Sequence, residues 1–346
     1  MTVQPERLVI PSGNIIDGYE IIDLVGIGGF CAIYKVKNLQ SNQIYAMKME
    51  ALNSNGCTLP TEISIIKDLH GEFFPKYIQS GTNNEFQINY LVMNYLGISI
   101  GGIQTYHHYK LDMDIVYHVS IIMLGIIEAF HSCGYVHRDI KPNNFLIQHV
   151  PDYPIVLIDF GLSKKHIDPD TNKPFPAETE SQLVGTRKYS SNNVLMLNSW
   201  GRRDDLLSWF YSFLDLATNG LPWADSNNND EIIEIKNSFK ISDLKYKFPD
   251  EFQQIYDYLK KLNYNDEPDY KYIKESFHKG MENDLFFVGQ FDWPKFIEEH
   301  SHMTKFQNAV GICTLNVINK RNEERNDRII AQKEEDEKNK KKCIIY

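Results

Sequence analysis

Residues 135–146 read Tyr135-Val136-His137-Arg138-Asp139-Ile140-Lys141-Pro142-Asn143-Asn144-Phe145-Leu146, and a little further on Val156-Leu157-Ile158 leads into Asp159-Phe160-Gly161. Upstream, Ile115, Val116, Val119, Ile122, Met123, Ile126, Ile127 and Phe130 fall at three- and four-residue steps, which predicts one apolar face of a helix. Gly134 supplies its stop. Beyond that stop come an Asp, a Lys two residues on, an Asn five residues on, and a second Asp after a short apolar strand. The set suits phosphoryl transfer. Asp139 can accept the proton of an attacking hydroxyl, Lys141 can neutralise charge on the moving group, and Asn144 and Asp159 offer hard oxygens to Mg²⁺. A lone Asp-Phe-Gly reads as a turn, and a lone His-Arg-Asp as a solvated loop. It is the two in order, with a strand between them and with the features upstream, that carry the reading.

The composition sets outer bounds. At 346 residues and 42% hydrophobic, the chain suits one two-lobed domain plus tails and can bury a full core. Its net charge of −10 argues against nucleic acid as the main ligand. Five scattered cysteines, Cys31, Cys57, Cys133, Cys313 and Cys343, lack CxxC pairing and read as reduced intracellular thiols. The first 14 residues show no secretory pattern, and no uninterrupted apolar run reaches membrane-spanning length.

Near the N-terminus, Tyr19-Glu20-Ile21-Ile22 and Ala32-Ile33-Tyr34-Lys35-Val36 read as strands around Val25-Gly26-Ile27-Gly28-Gly29-Phe30-Cys31. The glycines allow a tight turn and a close approach to phosphates. A dinucleotide-binding fold would need a helix after the loop and a glycine at position 31. Here position 31 is Cys, and the alternating residues after it predict a strand.

The pattern HRDxKxxN followed by DFG resembles the eukaryotic protein kinases. That resemblance implies an α+β, two-lobed fold with a small β-rich N-lobe and a larger helical C-lobe. The expected divisions are a lead-in over 1–17, the N-lobe over 18–94, the C-lobe over 95–300 and a charged tail over 301–346. ATP and Mg²⁺ are the implied cofactors. Val25, Gly26, Gly28 and Gly29 would cover the phosphates, and Ala46-Met47-Lys48 matches the kinase strand whose lysine holds them. Glu62, early in a helix after Pro60, is the carboxylate expected to fix Lys48; Asp68 and Glu72 suit that role less well. Met93 would gate the back of the adenine pocket, and Asn94, Tyr95 and Leu96 would form the hinge. Asp139 and Lys141 would be catalytic, while Asn144 and Asp159 would hold the metal. Thr186 would support Asp139, and Asp205 would tie down the backbone of the catalytic loop. A kinase-shaped binding module without catalysis is the competing reading, and Cys31 is its one hint.

Further motifs narrow the likeness. Val184-Gly185-Thr186-Arg187-Lys188-Tyr189 stands where most kinases carry Ala-Pro-Glu nearby. With Gly201-Arg202-Arg203-Asp204-Asp205, Asn219-Gly220-Leu221-Pro222-Trp223 and Phe291-Asp292-Trp293, it is similar to the casein kinase 1 superfamily, tau-tubulin kinases included. Lys141 is the serine/threonine form of the loop. The likeness implies Ser/Thr acceptors on protein substrates, acidic ones favoured, with Lys164, Lys165, Arg187 and Lys188 as the basic patch. No nucleic acid and no transmembrane segment are expected. A cytoplasmic monomer with access to the nucleus is. Residues Arg321 to Lys342 are dominated by charge, and the end reads Lys340-Lys341-Lys342-Cys343-Ile344-Ile345-Tyr346. That has the form of a prenylation signal with an unusual last residue, so weak membrane association through Cys343 is a further expectation.

Overall fold

Alternation along β-strands decides where the N-terminal side chains go. The computed structural model describes residues 10–27, 31–52, 56–150, 152–285, 287 and 291–301. Gly28, Gly29, the charged stretch after Arg321 and the Lys340–Cys343 segment all lie outside the described residues. Strands β1 (Ile15–Ile16), β2 (Tyr19–Ile27), β3 (Cys31–Asn38), β4 (Ile44–Ala51), β5 (Tyr77–Asn83) and β6 (Ile88–Asn94) form one antiparallel sheet. Its order is β1-β2-β3-β4-β6-β5. One face buries Tyr34, Val36, Met47, Met49, Tyr90 and Val92 in a core of its own. Leu91 and Met93, one residue out of step, face the other way and join the main core. Lys48 and Glu50 share that second face. β3 follows the glycine loop and pairs antiparallel with β2, so the strand expected there is present, where a dinucleotide fold would have a helix.

Helix α1 (Leu59–Asp68) lies between β4 and β5 in sequence, with Pro60 in its first turn and Leu59, Glu62, Ile65 and Ile66 buried. Its N-terminal donors have no side-chain cap from Thr58. Glu50 of β4 fills that role instead. Its carboxylate accepts from the backbone N–H of Thr58 at 3.0 Å and of Leu59 at 3.0 Å, from Thr58 Oγ1 at 3.1 Å and from Cys57 Sγ at 2.6 Å. A carboxylate suits a helix N-terminus both as acceptor and as charge.

The larger lobe is helical. α2 (Ile100–Tyr106) and α3 (Met113–Ser132) precede β7 (Tyr135–Val136), β8 (Phe145–Ile147), β9 (Ile155–Leu157) and β10 (Lys164–Lys165). The short pair β11 (Ile167–Asp168) and β12 (Lys173–Pro174) follows. Then come α4 (Asn192–Leu195), α5 (Arg202–Thr218), α6 (Asn229–Ser238), α7 (Asp250–Lys261), α8 (Tyr270–Asn283) and α9 (Trp293–Ser301). In α3, Val116, Val119, Met123, Ile126, Ile127 and Phe130 are buried as the spacing predicts, and Gly134 turns the chain with φ +85°. By length and composition alone α3 could cross a bilayer. Here it packs on α5, where Trp209 Nε1 donates to Ser120 O at 2.8 Å.

α5 is buried on nearly every side, from Leu206 through Leu216. Tyr117, Phe213, Phe252 and Phe277 form an aromatic cluster between α3, α5, α7 and α8, with Phe213 stacked on Phe252 at 5.0 Å. The polar loop after Gly161 holds more pairing than its composition suggests: β10 pairs with β7 and β11 with β12. Two-residue strands carry no readable alternation, so these pairs leave no periodic signal.

His166 sits between β10 and β11, 2% exposed, and neither ring nitrogen has a hydrogen-bond partner. Burial, with Arg202 beside it, pushes the imidazole down from 6.5 to about 4. Between those values the unfolded chain holds a proton that the folded chain does not, so stability is full above that window and falls as pH drops through it. Urea melts should show the wild type losing on the order of 2–3 kcal/mol more than His166→Phe between pH 7 and pH 4. Glu50→Ala should cost about 2 kcal/mol in the same melts, through the orphaned donors at the start of α1.

Candidate active site

Three chain-distant groups meet at Lys48. Its Nζ lies 2.6 Å from Glu62 Oε2 and 2.8 Å from Asp159 Oδ1. The lysine is 4% exposed. Burial works to lower its pKa, but the Glu62 and Asp159 carboxylates override that and hold the ammonium charged. Burial raises the Glu62 carboxyl against the pull of Lys48. Asp159, with its side chain 41% exposed, is held below the usual carboxylate range because Lys48 outweighs its partial burial. Of the rival carboxylates, Asp68 accepts from Tyr135 OH and Glu72 pairs with Lys76, so neither reaches Lys48.

The second group forms around Asp139. Lys141 Nζ donates to Asp139 Oδ2 at 2.5 Å and to Thr186 Oγ1 at 3.0 Å. Thr186 Oγ1 in turn donates to Asp139 Oδ1 at 2.6 Å. Asn144 Nδ2 donates to Asp139 O at 2.8 Å, which leaves its Oδ1 as an acceptor end. Backbone pairing then ties this loop to the other half of the site. Ile158 N donates to Asn144 O at 2.9 Å, and His137 Nε2 meets Ile158 O at 3.0 Å. Asn144 and the residue after Ile158, Asp159, are thereby held side by side.

Asp205, at the start of α5, fixes the loop from below. It accepts from His137 N at 2.6 Å, Arg138 N at 3.0 Å, Trp200 Nε1 at 2.9 Å and His131 Nε2 at 3.0 Å. Burial would raise its pKa, yet His131 and the backbone donors hold it down as a carboxylate. Arg138 and Asp159 both adopt left-handed backbone, φ +71° and +70°, a conformation that costs free energy and needs such anchoring. Phe160 stacks on Phe130 at 5.3 Å and is fully buried, which seats the strained turn in the core.

The remaining predicted residues belong to the sheet and to the chain just beyond β6. Ala46 pairs across to Met93, and Lys48 to Leu91. Val25 and Gly26 belong to the end of β2, where the register with β3 shifts between Leu24 and Gly26. Asn94 closes β6, its Oδ1 accepting from Lys76 N at 2.7 Å, and the Lys35 ammonium sits 5.3 Å over the Tyr95 ring. Gly28 and Gly29 lie outside the described residues, so their placement is not part of this geometry.

The donor set fits Mg²⁺ with phosphates. Asn144 and Asp159 supply hard oxygens, and no group of three His, Cys, Asp or Glu stands ready to cage an ion among the described residues. Two hard oxygens suit a cation which keeps waters and binds through few protein ligands plus substrate oxygens.

Two functional contacts escaped the sequence reading. Glu50 caps α1 and so sets Glu62 over Lys48; a Lys-x-Glu alternation on one strand face was its available signal. Arg138 Nη2 pairs with Glu180 Oε1 at 2.9 Å, and no local pattern announced that partner. The expected basic patch is partly consumed. Lys188 pairs with buried Asp215 at 2.7 Å and Lys164 with Glu178 at 2.8 Å, while Arg187 Nε donates to Asn229 Oδ1.

Residues 19–279 match the protein kinase domain family. The chain is 31% identical over 274 residues to a probable serine/threonine-protein kinase of Dictyostelium discoideum, covering 78% of this chain and 55% of that protein. It is 32% identical over 290 residues to casein kinase I homolog 2 of Schizosaccharomyces pombe, covering 80% of this chain and 65% of that protein. The chain thus spans between about half and two thirds of these relatives' length. With the Lys48–Glu62–Asp159 cluster and the Asp139 loop facing one cleft between a β lobe and a helical lobe, the chain belongs to the protein kinase family.

Proposed function

We propose that this chain is an ATP-dependent protein serine/threonine kinase, with an N-lobe over 18–94 and a C-lobe over 95–300. One observation carries the reading: the buried ammonium of Lys48 is held by Glu62 and Asp159 at once, the arrangement needed to place a triphosphate. Lys48 would bind the phosphates, beneath a flap that includes Val25 and Gly26. Met93, Asn94 and Tyr95 would border the adenine. Asn144 and Asp159 would hold Mg²⁺, which supplies charge neutralisation on the phosphate oxygens when bound.

Asp139 orients the acceptor hydroxyl and takes its proton. Its two oxygens are fixed by Lys141 and Thr186, so the carboxylate meets the substrate with no rotamer search. Lys141 then faces the transferring group, and positioning plus electrostatics lower the barrier. An acidic substrate preference would rest on Lys165 and Arg187, because Asp215 and Glu178 already engage Lys188 and Lys164. Lys236 does not extend the patch. It is 1% exposed, donates to Ser190 O at 2.5 Å and lies over the Tyr211 and Trp223 rings.

A cytoplasmic location is proposed on cysteines that are odd in number, scattered and without CxxC spacing. Phosphate transfer from labelled ATP tests the mechanism. Asp139→Asn should lower kcat about 10²–10⁴-fold while ATP affinity is retained, and equal incorporation by both proteins would refute the assigned base. Turnover of acidic, basic and pre-phosphorylated serine peptides tests the preference. The acidic one should be fastest, with little gain from priming; fastest turnover of the basic peptide would rule the preference out.

A further inference from the structure

Thr58 stands at the N-cap of α1, where a threonine hydroxyl ordinarily accepts from a backbone N–H of the first turn. Here it makes no such bond. The hydroxyl donates instead to Glu50 Oε1 at 3.1 Å, and the Thr58 N–H donates to Glu50 Oε2 at 3.0 Å. Glu50 is buried and also takes donors from Cys57 and Leu59, so Thr58 is fixed at two points by an anchored carboxylate. The locked side chain faces Gly161. A Cβ at 161 would stand 2.6 Å from Thr58 Oγ1 and 2.9 Å from Thr58 Cβ, so the Gly161 backbone rests directly on this threonine. The φ of Gly161 is not left-handed, so it is the contact that demands glycine there. The two residues before it are gripped from the same lobe. Lys48 Nζ holds Asp159 at 2.8 Å, and the Phe160 backbone N–H faces the Glu62 carboxylate. Three consecutive residues of this turn thus meet three groups from β4 and the start of α1.

We propose that Thr58 is a positioning residue for the metal: braced by Glu50, it is the stop against which Gly161 seats, and it thereby sets where Asp159 presents its oxygens. Asp159 needs such a stop. Its backbone is left-handed, at φ +70°, and its side chain is only partly buried, so the turn relaxes if the wall beside it is removed. Mg²⁺ demands near-ideal octahedral geometry, so a small shift of one ligand oxygen weakens the site. The inference rests on the kinase reading above and adds a residue that acts on the metal ligand through Gly161.

The test uses the full chain and reads binding apart from turnover. Calorimetry with the β,γ-imido analogue of ATP, in Mg²⁺ and again in EDTA, isolates the metal's share of the affinity. Thr58→Ala should weaken binding about five- to tenfold in Mg²⁺ and less than about twofold in EDTA. Thr58→Ser, which keeps Cβ and Oγ, should bind as the wild type does. Gly161→Ala should lose the Mg²⁺-dependent share and recover part of it when combined with Thr58→Gly, which removes both atoms in the way. Unchanged binding in Thr58→Ala, or equal losses in Mg²⁺ and EDTA, overturns the inference. So does a double variant no better than Gly161→Ala alone. A wild type that binds no analogue and transfers no phosphate from ATP to any peptide removes the underlying kinase reading instead.

Discussion

An ammonium group with almost no access to water is unstable unless carboxylates surround it, and Lys48 sets that condition for both lobes. Its two partners come from α1 and from the turn after β9, at 2.6 and 2.8 Å. Each of those elements must therefore arrive at a fixed place. Strand alternation delivers Lys48 to the α1 side of the sheet and puts Glu50 on the same side two residues on. Glu50 then caps the helix that carries Glu62. A single face of β4 thus positions both ends of the salt bridge, one directly and one through the helix N-terminus.

The opposite wall is organised by the same logic with the signs changed. Asp205 is a fully buried carboxylate with donors from His131, His137, Arg138 and Trp200 around it. It stabilises a loop whose backbone passes through a left-handed residue at Arg138. The loop could not hold Asp139 in one orientation if that residue relaxed. The aromatic packing of α5 against α3, α7 and α8 keeps Asp205 from moving. Core packing far from the cleft is therefore linked to the site by one side chain.

Much of this was legible before any coordinates. The apolar spacing of α3, the all-round burial of α5, the strand after the glycine loop and the choice of Glu62 over Asp68 and Glu72 all follow from local rules acting on Ile, Leu, Gly and Pro. The tie from Asp205 to the catalytic loop was expected from the likeness to protein kinases and not from any local rule. What stayed hidden depends on partners chosen in three dimensions. Nothing in Ser163–Leu183 reveals that Glu178 meets Lys164 or that Glu180 meets Arg138. Asp215 looks like one more residue of a buried helix, yet its carboxylate claims Lys188. A basic residue in a sequence is only a candidate for binding an external anion; whether an internal anion has claimed it is a tertiary fact.

An acidic chain can still present a basic face beside Asp139. Net charge counts all carboxylates alike, but Glu50, Glu62, Asp204 and Asp205 are nearly absent from the surface. They face ammonium groups, imidazoles, hydroxyls and backbone N–H donors inside the fold, and they project little field outward. Local potential near Asp139 is set instead by which of Lys164, Lys165, Arg187 and Lys188 keep their charge unshared. Two of the four are spoken for, each by a carboxylate from elsewhere in the chain. The segment from Glu178 to Lys188 thus decides two things with one set of charges. Its glutamates hold it against the catalytic loop and a neighbouring lysine, and the cations left over define what an incoming acceptor meets. Changing a glutamate there would alter loop order and acceptor preference together, because the released cation and the released segment border the same cleft.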